Sequence, residues 1–300
     1  MKNICILGGG HGVSRLIKGF KDSNNKVDVI VTSSDNGGHT GKLIKEFNVP
    51  ALGDLRMVLE SVVDQPLIDF FSYRFKHLHK EDNVSLGNLM LLSMVLEYGD
   101  VNKMLEKVNV LIKDNITLHL SNNKYVEIKA ITSNEEIVDG EVNIGECSDI
   151  RDIYLLDEGK VDVGVIDAIT KADVIVLSFG SFYTSLGAVI SGEKIKEAIR
   201  KTSAKIVYIP NLVNQKETDD YYLENYVDFL EKKIGRKLDR VLISNSKIKR
   251  KYIKNYRLKN RSIVISKEER DNYEYYPLLV IEEEKLRHNV NYLAQIITSE

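Results

Sequence analysis

Short runs of β-branched and aliphatic residues alternate along the chain with segments whose apolar positions recur every three or four residues, the pattern of parallel strands joined by helical crossovers. The runs Ile4 to Leu7, Val27 to Val31, Val174 to Leu177, Lys205 to Ile209 and Val241 to Ile243 are almost continuously apolar, so each reads as a strand covered on both faces. Val13, Leu16, Ile17 and Phe20 stand at i, i+3, i+4 and i+7, and Leu55, Val58, Leu59, Val62 and Val63 follow the same spacing after Gly53. Both segments predict helices with one buried face. From Ser85 to Tyr98 the sequence predicts a helix apolar almost all round, hence deeply buried, capped by Ser85 and stopped by Gly99. Between Asn115 and Leu156 the period shortens, and Ile116 to Leu120, Val126 to Ile131 and Ile150 to Leu155 predict a small antiparallel β insertion, residues 115–156. The expected fold is α/β: a doubly wound, mostly parallel Rossmann-like sheet with helices on both faces and that antiparallel β excursion. Four prolines and no Ser/Gly-rich tract mark no boundary, so residues 1–300 are read as one domain.

Composition narrows the function classes. With 43% hydrophobic and 29% charged residues over 300 positions, the chain can bury its own core. A formal net charge of −2 gives no global positive field for nucleic acid or membrane binding. Only Cys5 and Cys147 are present, which excludes a disulfide framework and a Cys-rich zinc site and fits a reducing cytoplasm. No apolar stretch has signal-peptide or membrane-spanning length. The expectation is therefore a cytoplasmic protein without nucleic-acid partner or membrane insertion, its oligomeric state left open. His77 and His79 have no third ligand nearby and are not read as a metal site. The basic stretch Lys247, Lys249, Arg250, Lys251, Lys254, Arg257, Lys259 and Arg261 is read as a solvated helical face rather than an anion grip. Tyr221, Tyr222 and Tyr226 are expected to pack a helix on the core with their hydroxyls at its rim.

Candidate chemistry gathers after the strands. Gly8, Gly9, Gly10, His11 and Gly12 follow the first strand and open the first helix, where N–H groups free of Cβ obstruction can converge on a phosphate; a tight turn that binds nothing is the alternative. The dinucleotide fingerprint fails because Val13 takes the third glycine position, and Gly37-Gly38-His39-Thr40-Gly41-Lys42 lacks P-loop spacing. Thr32 to Gly41 reads as a long polar loop in which Asp35 and Asn36 can orient a ribose, base or metal beside Gly37 and Gly38, or simply form a turn. Asp54 is placed as the N-cap of the helix after Gly53, and Arg56 can pair with Glu60 at i+4. Asn88, next to the cap Ser85, requires a partner for its buried amide. Gly180, Ser181, Tyr183 and Thr184 form a glycine and hydroxyl cluster at another strand end, and Asn211, Gln215, Glu217, Thr218 and Asp219 follow the strand ending at Pro210. No Gly-x-Ser-x-Gly elbow supports a serine hydrolase.

Taken in order, Gly8-Gly9-Gly10-His11-Gly12, Asp35-Asn36-Gly37-Gly38, Gly53-Asp54-Leu55-Arg56, Ser85-Leu86-Gly87-Asn88, Gly180 to Ser185 and Asn211 to Asp219 resemble the gluconeogenesis factor family, also called YvcK-like, within the superfamily of the CofD 2-phospho-L-lactate transferases. The resemblance runs from Ile4 to about Ser244. It implies one nucleotide site lined by glycine-rich loops. On the gluconeogenesis-factor side, which this chain looks closer to, the implied ligand is a nucleotide sugar such as UDP-N-acetylglucosamine, with roles in cell shape and in growth on gluconeogenic carbon sources. In the transferase branch, the implied ligands are a guanosine-diphospho-activated phospholactate, a deazaflavin and magnesium. His11 stands for the usual threonine, Asn36 for the second of two aspartates, His39-Thr40 for a serine pair, and Gln215-Lys216-Glu217 is one residue shorter than the family's Gln-Pro-Gly-Glu. Two hypotheses follow. In the first, Gly9 to Gly12 hold the diphosphate of a nucleotide sugar, Asp35, Asn36 and Asn88 read its base or ribose, and Arg56 neutralises phosphate charge. In the second, Asp35 and Asp54 hold magnesium for phospho-group transfer and Arg56 stabilises the developing charge; losing a carboxylate at position 36 weakens it.

Overall fold

The computed structural model describes residues 1–21, 23–77, 83–259 and 261–299, so His79 lies outside the described residues. In chain order the strands are β1 (Asn3–Gly8), β2 (Lys26–Val31), β3 (Arg74–Phe75), β4 (Val84–Ser85), β5 (Ile116–Leu120), β6 (Glu127–Thr132), β7 (Ile137–Asp139), β8 (Ile150–Leu156), β9 (Val174–Leu177), β10 (Lys205–Tyr208), β11 (Arg240–Ser244), β12 (Tyr273–Tyr276), β13 (Leu279–Glu282) and β14 (Lys285–His288). Seven of them form one sheet in the order β12-β11-β10-β9-β1-β2-β5. Every adjacent pair in it is parallel. The chain winds outward from β1 through β2 and β5, then returns to the other side of β1 and winds through β9 to β12. The sheet thus has its topological switch between β1 and β9, the place where open α/β sheets bind ligands.

Both faces are covered, as the apolar strands require. Ile4 and Ile6 enter one core with Val13, Leu16 and Ile17, whereas Cys5 and Leu7 enter the opposite one with Val165, Ile169 and Val189. Burying an aliphatic side chain this completely contributes about 2 kcal/mol. The predicted first helix is Gly10–Leu16, continued by a 3-10 turn Ile17–Phe20.

Four local expectations are corrected. Ile116–Leu120 is not part of the antiparallel excursion: β5 pairs in parallel with β2 and forms an edge of the main sheet. The excursion is the three-stranded antiparallel sheet β7-β6-β8. Period-2 burial in β5 marks an edge strand, a pattern that looks the same in either setting. The loop expected from Thr32 to Gly41 ends early, because Leu43 and Ile44 are buried and hold Gly38–Phe47 against the core as a helix. The N-cap of Gly53–Val62 is Leu52, so Asp54 stands inside the first turn. Ser85 and Gly99 do cap Leu86–Tyr98, Ser85 Oγ accepting the Asn88 N–H at 3.3 Å and Gly99 adopting φ 61°. That helix is not buried all round, however; Leu96 is 51% exposed, because neighbouring helices cover only part of it.

The two backbones flanking the switch approach so closely that only glycine fits. A Cβ on Gly12 would lie 1.7 Å from the Phe179 carbonyl oxygen. Gly99, by contrast, has open space around its Cβ position. Gly99→Ala is therefore expected to cost about 1 kcal/mol, through its left-handed backbone alone. Gly12→Ala should cost about 3 kcal/mol or more through overpacking. Urea unfolding midpoints of the two variants check this ordering, and equal midpoints refute it.

Candidate functional site

At the carboxyl ends of β1 and β9 lies a cleft of about 710 Å³. Its wall from β1 is Gly9 to Gly12, with Gly9 extended and Gly10 at φ 47°. The short helix that starts there leaves the first-turn N–H groups without intrahelical acceptors; that of Gly10 is taken by the Asp54 carboxyl. Facing this wall, Phe179, Gly180 and Ser181 follow β9. Gly180, at φ 145°, is held by Asn211 from the loop after β10. The Gly180 N–H donates to Asn211 Oδ1 at 2.9 Å, and Asn211 Nδ2 donates to the Gly180 carbonyl at 2.8 Å. A π-helical turn, Phe182–Gly187, comes next, the Leu186 N–H reaching back to the Ser181 carbonyl at 3.2 Å. Ser181 and Ser185 line the cleft, while Tyr183 turns into the protein, where its hydroxyl meets Tyr221 at 2.6 Å and the Ile150 carbonyl at 3.2 Å.

Carboxyl groups collect on one side. Asp35 accepts the Gly37 N–H at 2.8 Å, and Glu141, from the helix Glu141–Glu146 of the β excursion, hydrogen bonds Asp35 and accepts from Thr184 Oγ1 at 3.3 Å. Burial, together with the nearby Asp35 and Asp54 charges, pushes the Glu141 pKa upward, so that this carboxyl holds a proton at neutral pH. Asp54 is fully desolvated beside Asp35 and is pushed up to about 7. Its Oδ2 is buried with no protein partner.

Cations supply the remaining walls. Arg15 comes from the first helix, Arg261 from the segment after Arg250–Arg257, and Arg287 from β14. Arg15 is anchored by Glu282 of β13. His288 is stacked on Phe179 with ring centroids 4.2 Å apart. Its burial holds its pKa down at about 3, and the Arg15 charge acts in the same direction.

The structure brings together Gly9, Gly10, His11, Gly12, Asp35, Asp54, Gly180, Ser181, Asn211 and Gln215. It does not bring Arg56 to the cleft. That guanidinium is buried, its Nη1 donating to Glu60 at 2.6 Å and to the Phe71 carbonyl at 3.2 Å, and its Nε is buried with no protein partner. Asn36 faces Tyr125 and Gly140 of the excursion instead. Asn88 lies behind the cleft, with Nδ2 on Thr40 Oγ1 at 3.4 Å. Gly37, Gly38 and Ser85 are likewise absent from the lining, and Thr184 backs it through Ser181 at 2.6 Å. Glu217 accepts from Ser181 at 3.3 Å from beneath, Thr218 accepts the Gln215 N–H at 3.0 Å as a capping contact, and Asp219 is exposed outside. Sequence reasoning missed Arg15, Glu141, Arg287 and His288. Arg15, one turn beyond Gly12, carried a signal in its spacing; the others come from elements remote in sequence.

The model of the 2-phospho-L-lactate transferase CofD family matches residues 4–283. The chain belongs to that family, in its gluconeogenesis-factor branch. It is 34% identical over 260 residues to the gluconeogenesis factor of Bacillus subtilis, covering 83% of this chain and 82% of that one. The gluconeogenesis factor of Halalkalibacterium halodurans is 33% identical over 232 residues, 75% of this chain and 72% of its own length. A solved structure of a UPF0052 family member from Bacillus halodurans superimposes with a TM-score of 0.94 at 28% identity, covering 99% of this chain and 100% of that one.

The raised Asp54 carboxyl makes stability depend on pH. Its folded pKa lies above the ordinary carboxylate value, so the folded state binds more protons and stability falls as pH rises from about 4 to about 7. Asp54→Asn keeps an acceptor for the Gly10 N–H and removes the buried charge. At pH 8 this variant should be more stable than the parent by up to about 4 kcal/mol, the gap closing only near pH 4. Melting curves at both pH values test this, and a constant gap would contradict it.

Proposed function

We propose that this gluconeogenesis-factor relative is a cytoplasmic regulatory protein that binds a nucleotide sugar of the UDP-N-acetylglucosamine kind, supporting cell shape and growth on gluconeogenic carbon sources. The observation that carries this reading is the meeting of the Gly9 to Gly12 loop with three guanidinium groups, Arg15, Arg261 and Arg287, in one cleft at the sheet's switch point. Main-chain N–H groups and forked guanidinium donors together suit a diphosphate. Arg261 and Arg287 take the neutralising role that the sequence assigned to Arg56. Asp35, Ser181 and Asn211 offer acceptors and donors to ribose or sugar hydroxyls.

The carboxyl cluster favours a second reading, the CofD-like transfer of a phospholactyl group from a nucleotide-diphosphate donor to a deazaflavin-type acceptor. Among the described residues, no group of three His, Cys, Asp or Glu side chains is placed to hold a metal alone. Magnesium needs fewer, since it commonly takes one or two carboxylates and completes its shell with water and phosphate. Asp54, with its orphaned Oδ2, and Asp35 fit that demand. A magnesium ion there would neutralise phosphate charge, and Asp35 and Asp54 would bind it as carboxylates, Asp54 having first given up any proton it holds.

Thermal-shift titration against UDP-N-acetylglucosamine, UDP, GDP and a deazaflavin, with and without magnesium, tests both readings. The UDP-sugar should raise the melting temperature without metal, and Arg287→Ala should weaken that binding about 10–100-fold. A magnesium-dependent preference for GDP, with Asp54→Asn abolishing turnover while sparing affinity, would establish the transferase reading. No shift with any compound would overturn both.

A further inference from the structure

Eight of the chain's 42 lysines and arginines fall between Lys247 and Arg261, and none of its 44 acidic residues does. All eight are exposed, and among the described residues only Lys251 has an ion-pair partner, Glu284 at 3.0 Å. The helix Arg250–Arg257 sits on the body through buried Tyr252 and half-buried Ile253 and Tyr256. Arg250, Lys254 and Arg257, at i, i+4 and i+7, therefore point outward together. Leu258, four residues beyond Lys254, continues the same side and is 75% exposed. Like charges held this close on an ordered helix repel one another, although the chain as a whole has more acidic than basic residues.

We propose that Lys247, Lys249, Arg250, Lys254, Arg257 and Leu258 form a docking face for an anionic lipid bilayer. The face is exposed and rich in lysine, which suits a plane of headgroup phosphates. Leu258 among those cations gains nothing from a phosphodiester backbone but does gain from the acyl boundary of a membrane. The tyrosines of the helix turn inward, leaving no exposed ring in it to stack on a base. No helix among the described residues is long and apolar enough to cross a membrane, so the attachment is peripheral. Tyr256 and Arg261 also line the cleft, so docking would bring the cleft's mouth toward the headgroups.

The test is co-sedimentation of the full chain with vesicles of phosphatidylcholine, with or without roughly one-third phosphatidylglycerol. The protein should partition onto the anionic vesicles only, and come off as salt shortens the screening length. Each cation at such a surface is worth about a fivefold gain in partitioning. The combined variant K249Q, R250Q, K254Q and R257Q should therefore bind about 600-fold more weakly, with its melting temperature unchanged. Leu258→Ser should weaken binding at constant charge. Equal partitioning of variant and parent, binding to neutral vesicles, or binding to an oligonucleotide but not to vesicles would each overturn the proposal.

Discussion

The site rests on the close approach of two backbones. Gly12, on the first turn after β1, lies against the Phe179 carbonyl after β9, and it does so because β1 and β9 are parallel neighbours that end at the same level. Any side chain at position 12 would force those two loops apart, and the wall carrying the N–H groups would separate from the wall carrying Gly180 and Ser181. Glycine at this position is thus required by chain packing before it serves any ligand. The Asn211 amide performs a related task from the loop after β10, fixing the backbone of Gly180 through both its polar atoms. Three successive strand ends are so tied into one rim.

On that rim, charge is segregated by element. The carboxyls come from the loop after β2, the helix after Gly53 and the β excursion, and burial, which leaves little water to stabilise negative charge, raises the pKa values of Asp54 and Glu141. The guanidinium groups come from the first helix and from the C-terminal elements. The cleft therefore has donors on one side and, on the other, carboxyls of which Asp54 and Glu141 are held toward their neutral forms.

Most of the sheet was legible because buried parallel strands leave continuous apolar runs that alternating helices cannot imitate. Strand β12, Tyr273–Tyr276, was not, since its tyrosine-rich edge carries no such run. The glycine loops of the site could be read for a similar reason: they follow strands directly, and connection rules bring strand ends together. Arg56 was ambiguous because a short-range ion pair and a phosphate contact ask for the same residue type, and only the three-dimensional path of the guanidinium shows that it runs toward Glu60 and Phe71 and away from the cleft lining. Arg287 and Glu141 were invisible for the opposite reason. Each stands next to the cleft only after a hairpin or a small sheet folds back across a large gap in sequence, and nothing local announces that return.

The hairpin β13–β14 carries this furthest. It delivers Arg287 and His288 to the cleft and holds Arg15 through Glu282. Arg15 and its anchor Glu282 are 267 residues apart in sequence, so the cleft's wall of guanidinium groups is complete only once the hairpin has folded back across that distance.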